Sequence, residues 1–196
     1  MKYTFGLIGT GNMGGAIARA VSRTLKDGIL ADRNEDLAAA LAGEMGFQSG
    51  ENQEAAENSR YLFLGVKPHL VCGMLASIRP ALEARAEEPV LVSMAAGLTI
   101  AQIQELAGKP YPVIRIMPNT PVAVGQGVVL YTAGENVTSE QLEGFLHVMG
   151  KAGGLYPIDE TLMDVGASVS GCGPAFVYMV IDAIADGGVA CGLPRP

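Results

Sequence analysis

The residues with the clearest chemical potential stand near the start of the chain, at Gly9-Thr10-Gly11-Asn12-Met13-Gly14. In a strand-to-helix turn the first glycine allows the tight bend, the second has no Cβ to obstruct a pyrophosphate, and the third lets the helix pack on the strand. The amides at the helix start then face the anion. The pattern alone is weak, because glycine-rich turns also form for packing, so its weight comes from context. That context is present. Residues 2–8 are a short apolar run, residues 12–25 place small and apolar side chains at helical spacing, and a second buried run at 29–31 ends at Asp32.

The end of that second run offers two opposite answers about the ligand. Asp32 stands where a carboxylate would bind the ribose 2′-OH of NAD, and Arg33 stands where a guanidinium would pair with the 2′-phosphate of NADP. NADP(H) is the expected preference, provided Asp32 turns away, with NAD(H) as the other cofactor admitted. Val66-Lys67-Pro68 and Ala95-Ala96-Gly97 lie just past two further apolar runs, where open α/β sheets bind ligands, and Lys67 is the conspicuous charge there. Met117-Pro118-Asn119-Thr120-Pro121 follows another run, and its prolines predict a rigid turn around Asn119. His69 and His147 have no acid or nucleophile at motif spacing and read as structural; no metal-ligand spacing is found.

Apolar strands at 61–66, 90–93 and 113–116 alternate with helices starting at Asn34, Pro68 and Thr99, which implies a parallel sheet covered on both faces. After Pro118 the rhythm changes to a strand at 125–131, an amphipathic helix at 139–150 and a last strand at 154–157. From Glu160 onward the expectation is helical, interrupted at Ser170-Gly171-Cys172-Gly173-Pro174 and resuming through Phe176 to about residue 190. This last helix is apolar nearly all round and so must be buried. With Gly192-Leu193-Pro194-Arg195-Pro196 reading as a helix C-cap and a further start, the chain is expected to be C-terminally shortened or to bury the helix against another copy. The division predicted is a dinucleotide-binding domain over 1–158 and the first part of a helical domain over 159–196.

Among 196 residues 49% are hydrophobic and 17% charged, which describes an α/β protein with a sizeable core. The net charge of -7 and the lack of a basic stripe argue against a nucleic-acid partner. Cys72, Cys172 and Cys191 form no CxxC pair and suggest reduced thiols in a cytoplasmic protein. No apolar run of the roughly 18 residues needed for a membrane span is expected, so no membrane partner is either.

Taken together, Ile8 to Gly14, Val66-Lys67-Pro68-His69, Ala95 to Ile100, Arg115 to Pro121 and Ser170 to Phe176 resemble the pyrroline-5-carboxylate reductases, and the tail at 185–195 looks like the same family. The resemblance implies a Rossmann-type, mostly parallel sheet with helices on both faces, followed by the start of an all-helical dimerisation domain. It implies reduction of the cyclic imine 1-pyrroline-5-carboxylate to L-proline by hydride from NAD(P)H, the last step of proline biosynthesis, in a homodimer or higher homo-oligomer. Matching positions place Ile8, Gly9, Thr10, Gly11, Asn12, Met13 and Arg33 on the pyrophosphate and adenosine side, and Asn52 near the ribose. Gly65, Val66, Lys67, Pro68, Met94, Ala95 and Ala96 then lie along the cofactor toward the nicotinamide. No catalytic residue is assigned, because the family's substrate-contacting loop is expected beyond Arg195. Two other classes stay open: a cofactor-binding protein without turnover, and a β-hydroxyacid dehydrogenase relative, against which the Ser170 to Pro174 block speaks.

Overall fold

A computed structural model of the chain describes residues 1–195. Its first half is a regular alternation: β1 (Tyr3–Ile8), α1 (Asn12–Val21), β2 (Gly28–Ala31), α2 (Glu35–Met45), β3 (Gln48–Ser49), α3 (Asn52–Asn58), β4 (Ser59–Leu64), α4 (Pro68–Glu83), β5 (Val90–Ser93), α5 (Ile100–Ala107) and β6 (Val113–Pro118). A 3-10 turn (Thr120–Val124), β7 (Gly127–Ala133), α6 (Ser139–Val148) and β8 (Gly153–Pro157) follow. A second 3-10 turn (Glu160–Leu162) then leads into α7 (Met163–Ser170) and α8 (Gly173–Ala190).

The strands form one sheet in the order β3-β2-β1-β4-β5-β6-β7-β8. All neighbours are parallel except β6 and β7, so β7 and β8 run against the other six. The expected mostly parallel sheet with helices on both faces is therefore observed. Two elements go beyond the expectation: β3, only two residues long, and the short α3 that follows it.

Local sequence explains the helix starts. Asn34 accepts the Leu37 amide at the start of α2, and Thr99 and Thr138 each build a reciprocal capping box with the glutamine three residues on, at α5 and α6. The Asp159 carboxylate likewise accepts from the Thr161 amide and hydroxyl ahead of α7, and these donors hold its pKa below the usual value. A lowered carboxylate pKa gives stability that is present at neutral pH and lost as pH falls through that lowered value.

Successive side chains along the buried strands feed two cores. Leu7, Phe63 and Val92 pack under α1, α2 and α6, whereas Ile8, Leu62, Leu64 and Leu91 pack under α3, α4 and α5. On the first face a row of rings crosses the sheet: Phe47 to Phe5 (5.5 Å), Phe5 to Phe63 (5.0 Å), Phe63 to Phe145 (6.4 Å) and Phe145 to Tyr131 (6.0 Å between centroids). Phe145 thus ties α6 and the antiparallel part of the sheet to its parallel half.

The last helix, expected to need burial by something outside this stretch of sequence, stands uncovered. No residue of α8 is buried, and Phe176, Met179 and Ile184 are each about two-thirds exposed, at 65%, 67% and 70%. An 18-residue window within Glu160–Ala190 also passes, by length and composition, as apolar enough to cross a membrane, with a mean hydropathy of 1.4, which corrects the expectation that no such run exists. The reason is that glycines and four scattered carboxylates, Glu160, Asp164, Asp182 and Asp186, break the stretch into shorter apolar pieces while a window within it keeps a high average. The three cysteines are free and exposed, as unpaired thiols.

Phe145→Ala is expected to lower stability by about 3–5 kcal/mol, the usual cost of emptying a fully buried phenylalanine site. Urea denaturation followed by circular dichroism measures this directly.

Candidate active site

The strand order reverses direction of travel between β1 and β4: the chain moves outward from β1 to β2 and β3, then returns to the other side of β1 with β4. Connections from neighbouring strands therefore leave on opposite faces and open a crevice at their carboxyl ends. A cleft of about 590 Å³ lies there, lined by Gly11, Asn12, Met13, Gly65, Val66, Lys67, Pro68, Met94, Ala96, Met117 and Pro118. Four separate strand ends contribute to it.

The turn at its floor is fixed by absent side chains. Gly9 adopts φ +101°, and a Cβ there would lie 2.7–2.9 Å from the backbone of Gly65 and Val66. A Cβ on Gly14 would overlap the Gly9 carbonyl oxygen, whereas one on Gly11 would meet nothing within 4 Å. Gly9 and Gly14 are thus required by the fold, and Gly11 faces open space. The amino end of α1 has no side-chain cap and no acidic residue in its first turn, leaving its amides for an anion. This is the geometry a pyrophosphate requires.

Asp32 is oriented onto the glycine turn. Its Oδ2 accepts from the Thr10 amide at 2.6 Å and the Thr10 hydroxyl at 3.0 Å, while Oδ1 accepts the Asn34 amide at 2.9 Å. Oδ2 thus holds the glycine turn to the end of β2, while Oδ1 closes a local turn onto Asn34. Arg33 is exposed and reaches a second cleft of about 880 Å³, which Asn52 also lines beside Asp36, Ser49 and Gly50. Arg33 and Asn52, far apart in sequence, are brought together.

The remaining expected residues divide by depth. Ile8, Gly9, Thr10 and Ala95 are buried under the cleft and shape its floor through backbone, while Lys67 and Ala96 are exposed at its wall. Met117 and Pro118 complete that wall and were not assigned to the site from sequence, although their place after β6 is the same signal that marks Val66 and Ala96. His69 and His147 are exposed and line neither cleft. Among the described residues no group of three or more His, Cys, Asp or Glu forms a metal site.

Two family models match: "NADP oxidoreductase coenzyme F420-dependent" over residues 4–97, and "Pyrroline-5-carboxylate reductase dimerisation" over residues 160–196. The pyrroline-5-carboxylate reductase of Pisum sativum is 36% identical over 201 aligned residues, covering 99% of this chain and 71% of the relative. That of Corynebacterium melassecola is 34% identical, with coverages of 98% and 73%. The chain belongs to the pyrroline-5-carboxylate reductase family. Among solved structures, Plasmodium falciparum pyrroline carboxylate reductase with NADP bound superposes with a TM-score of 0.84 at 29% identity, over 97% of this chain and 71% of that one. The sheet and cleft described above are thus the family's architecture.

The contrast between the glycines is testable. Gly14→Ala should lower stability by about 1–3 kcal/mol through overpacking against the turn. Gly11→Ala should leave the melting temperature unchanged yet weaken NADPH binding by about tenfold or more, as the new methyl meets the pyrophosphate. Calorimetry and NADPH fluorescence titration separate the two.

Proposed function

We propose that this chain reduces 1-pyrroline-5-carboxylate to L-proline, using NADP(H) in preference to NAD(H), as part of a homo-oligomer. The observation that carries the reading is the cleft at the β1/β4 switch point, where the uncapped amino end of α1 and the ends of β4, β5 and β6 converge. Residues 1–158 are the cofactor-binding unit and residues 159–196 belong to the helical unit. Ile8 to Met13 receive the pyrophosphate, Arg33 and Asn52 the adenosine end, and Gly65 to Pro68 with Met94 to Ala96 line the path to the nicotinamide. The cofactor supplies hydride.

What the protein residues must do is modest. A cyclic imine is protonated in water, and the iminium accepts hydride more readily than a carbonyl does, so holding the two reactants in register supplies much of the rate. No side chain is assigned as a proton donor. Two observations support the preference for NADP(H): the Asp32 carboxylate already accepts from Thr10 and Asn34, and the exposed Arg33 lines the second cleft. The exposed apolar circumference of α8 supports a face between copies of the chain rather than a solvated or membrane-spanning helix.

Cofactor oxidation at 340 nm in the presence of 1-pyrroline-5-carboxylate tests the reaction; NADPH binding without imine-dependent oxidation would leave only the binding reading. Arg33→Ala is expected to raise KM for NADPH by about tenfold or more, the scale of a lost charge-assisted contact, with little effect on NADH. Equal effects on both would remove Arg33 from the discrimination. Sedimentation velocity should show a dimer or larger species, and Ile184→Asp with Met179→Asp should shift it toward smaller ones.

A further inference from the structure

Two buried polar side chains on one line of the sheet stand outside the cofactor cleft and grip the helical unit instead. Arg115, in the middle of the apolar strand β6, is only 3% exposed, and its guanidinium pairs with Glu160 (Nη1 to Oε1, 3.4 Å) and with Asp164 (Nη2 to Oδ1, 2.8 Å). The same Glu160 oxygen accepts the amide of Ile100, the first residue of α5, at 2.7 Å. Four residues beyond Arg115, Asn119 is 6% exposed; its Oδ1 accepts the Val128 amide at 2.9 Å and its Nδ2 donates to the Ser170 carbonyl at 3.0 Å.

These attachments fall at the two ends of one helix. Asp164 is in the first turn of α7 and Ser170 is its last residue. Arg115 and Asn119 are about 13 Å apart along an extended chain, and Asp164 and Ser170 about 9 Å apart along a helix, a difference within the reach of an arginine side chain. A helix tied at one point can swing about it; tied at both ends it has one height and one direction. Burying a guanidinium in an apolar strand is costly, and its partners Glu160 and Asp164 are 28% and 69% exposed, so the pairs are weak evidence for net stability and their effect is on position. The carbonyl that Asn119 holds is three residues before the start of α8, and Asn119 itself follows Met117 and Pro118, which line the cleft.

We propose that Arg115 and Asn119 are positioning residues: together they register α7 on β6, and so fix where the helical unit begins relative to the cofactor cleft. The inference rests on the reductase reading, and it assigns neither residue a contact with substrate. Its consequence is that loosening either tie misplaces the helical unit against a cofactor that is still correctly bound. A displacement on the order of 1 Å at a reacting centre can cost about 100-fold in rate.

The test is steady-state kinetics on the full chain carrying Asn119→Asp, Arg115→Lys or Asp164→Asn. Asn119→Asp keeps the acceptor for Val128 and removes the donor to Ser170. Asp164→Asn alters an exposed side chain and leaves the core untouched, so it decides the matter if the buried variants do not fold. We expect kcat/KM for the imine to fall by about 10- to 100-fold for the buried variants and less for Asp164→Asn, with the NADPH dissociation constant within about twofold of wild type. Kinetics unchanged beside a lowered melting temperature would make the ties merely structural and overturn the proposal. NADPH binding weakened in parallel would also overturn it, by routing the effect through the cofactor cleft. A wild-type chain that binds NADPH but reduces no imine would instead sink the reductase reading, and this inference with it.

Discussion

The structure depends on a close approach of two backbone turns. The β1–α1 turn at Gly9 touches the β4–α4 turn at Gly65 so closely that a Cβ on either would fall within 2.5–2.9 Å of the other's backbone. The Gly65 amide donates to the Ile8 carbonyl at 2.7 Å, and the Gly9 amide donates to the Ala31 carbonyl at 2.8 Å, so neither turn is free to retreat. Because β1 and β4 are neighbours whose helices leave on opposite faces, any spreading of these turns would open the sheet at its centre. The cleft is narrow and well formed for the same reason that the core is continuous beneath it.

Polar groups around this point are committed to holding segments together. Asp32 ties the turn to the end of β2, Asn119 ties β7 and α7 to the end of β6, and Glu160 joins β6 to the start of α5. Each links strand ends to loops on the carboxyl side of the sheet, where binding loops need a rigid base. Side chains left free at the rim, Arg33 and Lys67, are those able to meet a ligand without disturbing that base.

Much of this was legible in the chain. Elements with strong internal patterns, such as β1 with α1, β5, and the capped helices α2, α5 and α6, emerge from apolar periodicity and capping residues alone. Gln48 and Ser49 form a strand only because Ile29 and Leu30 offer them a partner, and two exposed polar residues carry no pattern of their own. The acidic α3 is similarly short. Gly11, Lys67 and Arg33 were marked by motif spacing, and Asn52 and Met94 by the family resemblance. Met117 and Pro118 were not assigned to a cleft, and neither was the orientation of Asp32 legible, which turns on a rotamer and two hydrogen bonds from Thr10. Arg115 did leave a trace: a single cation between Ile114 and Ile116 in a buried strand must have a partner, although sequence could not say that the partners lay 45 and 49 residues away.

The exposure of α8 has a consequence for how the protein holds together over time. A chain that surrounds an eighteen-residue helix with water on every side has part of its hydrophobic stabilisation still outstanding, to be supplied by whatever covers that face. Where a second copy covers that face, as proposed above, burial of the helix follows mass action, and dilution returns it to water while the two cores of the sheet stay closed.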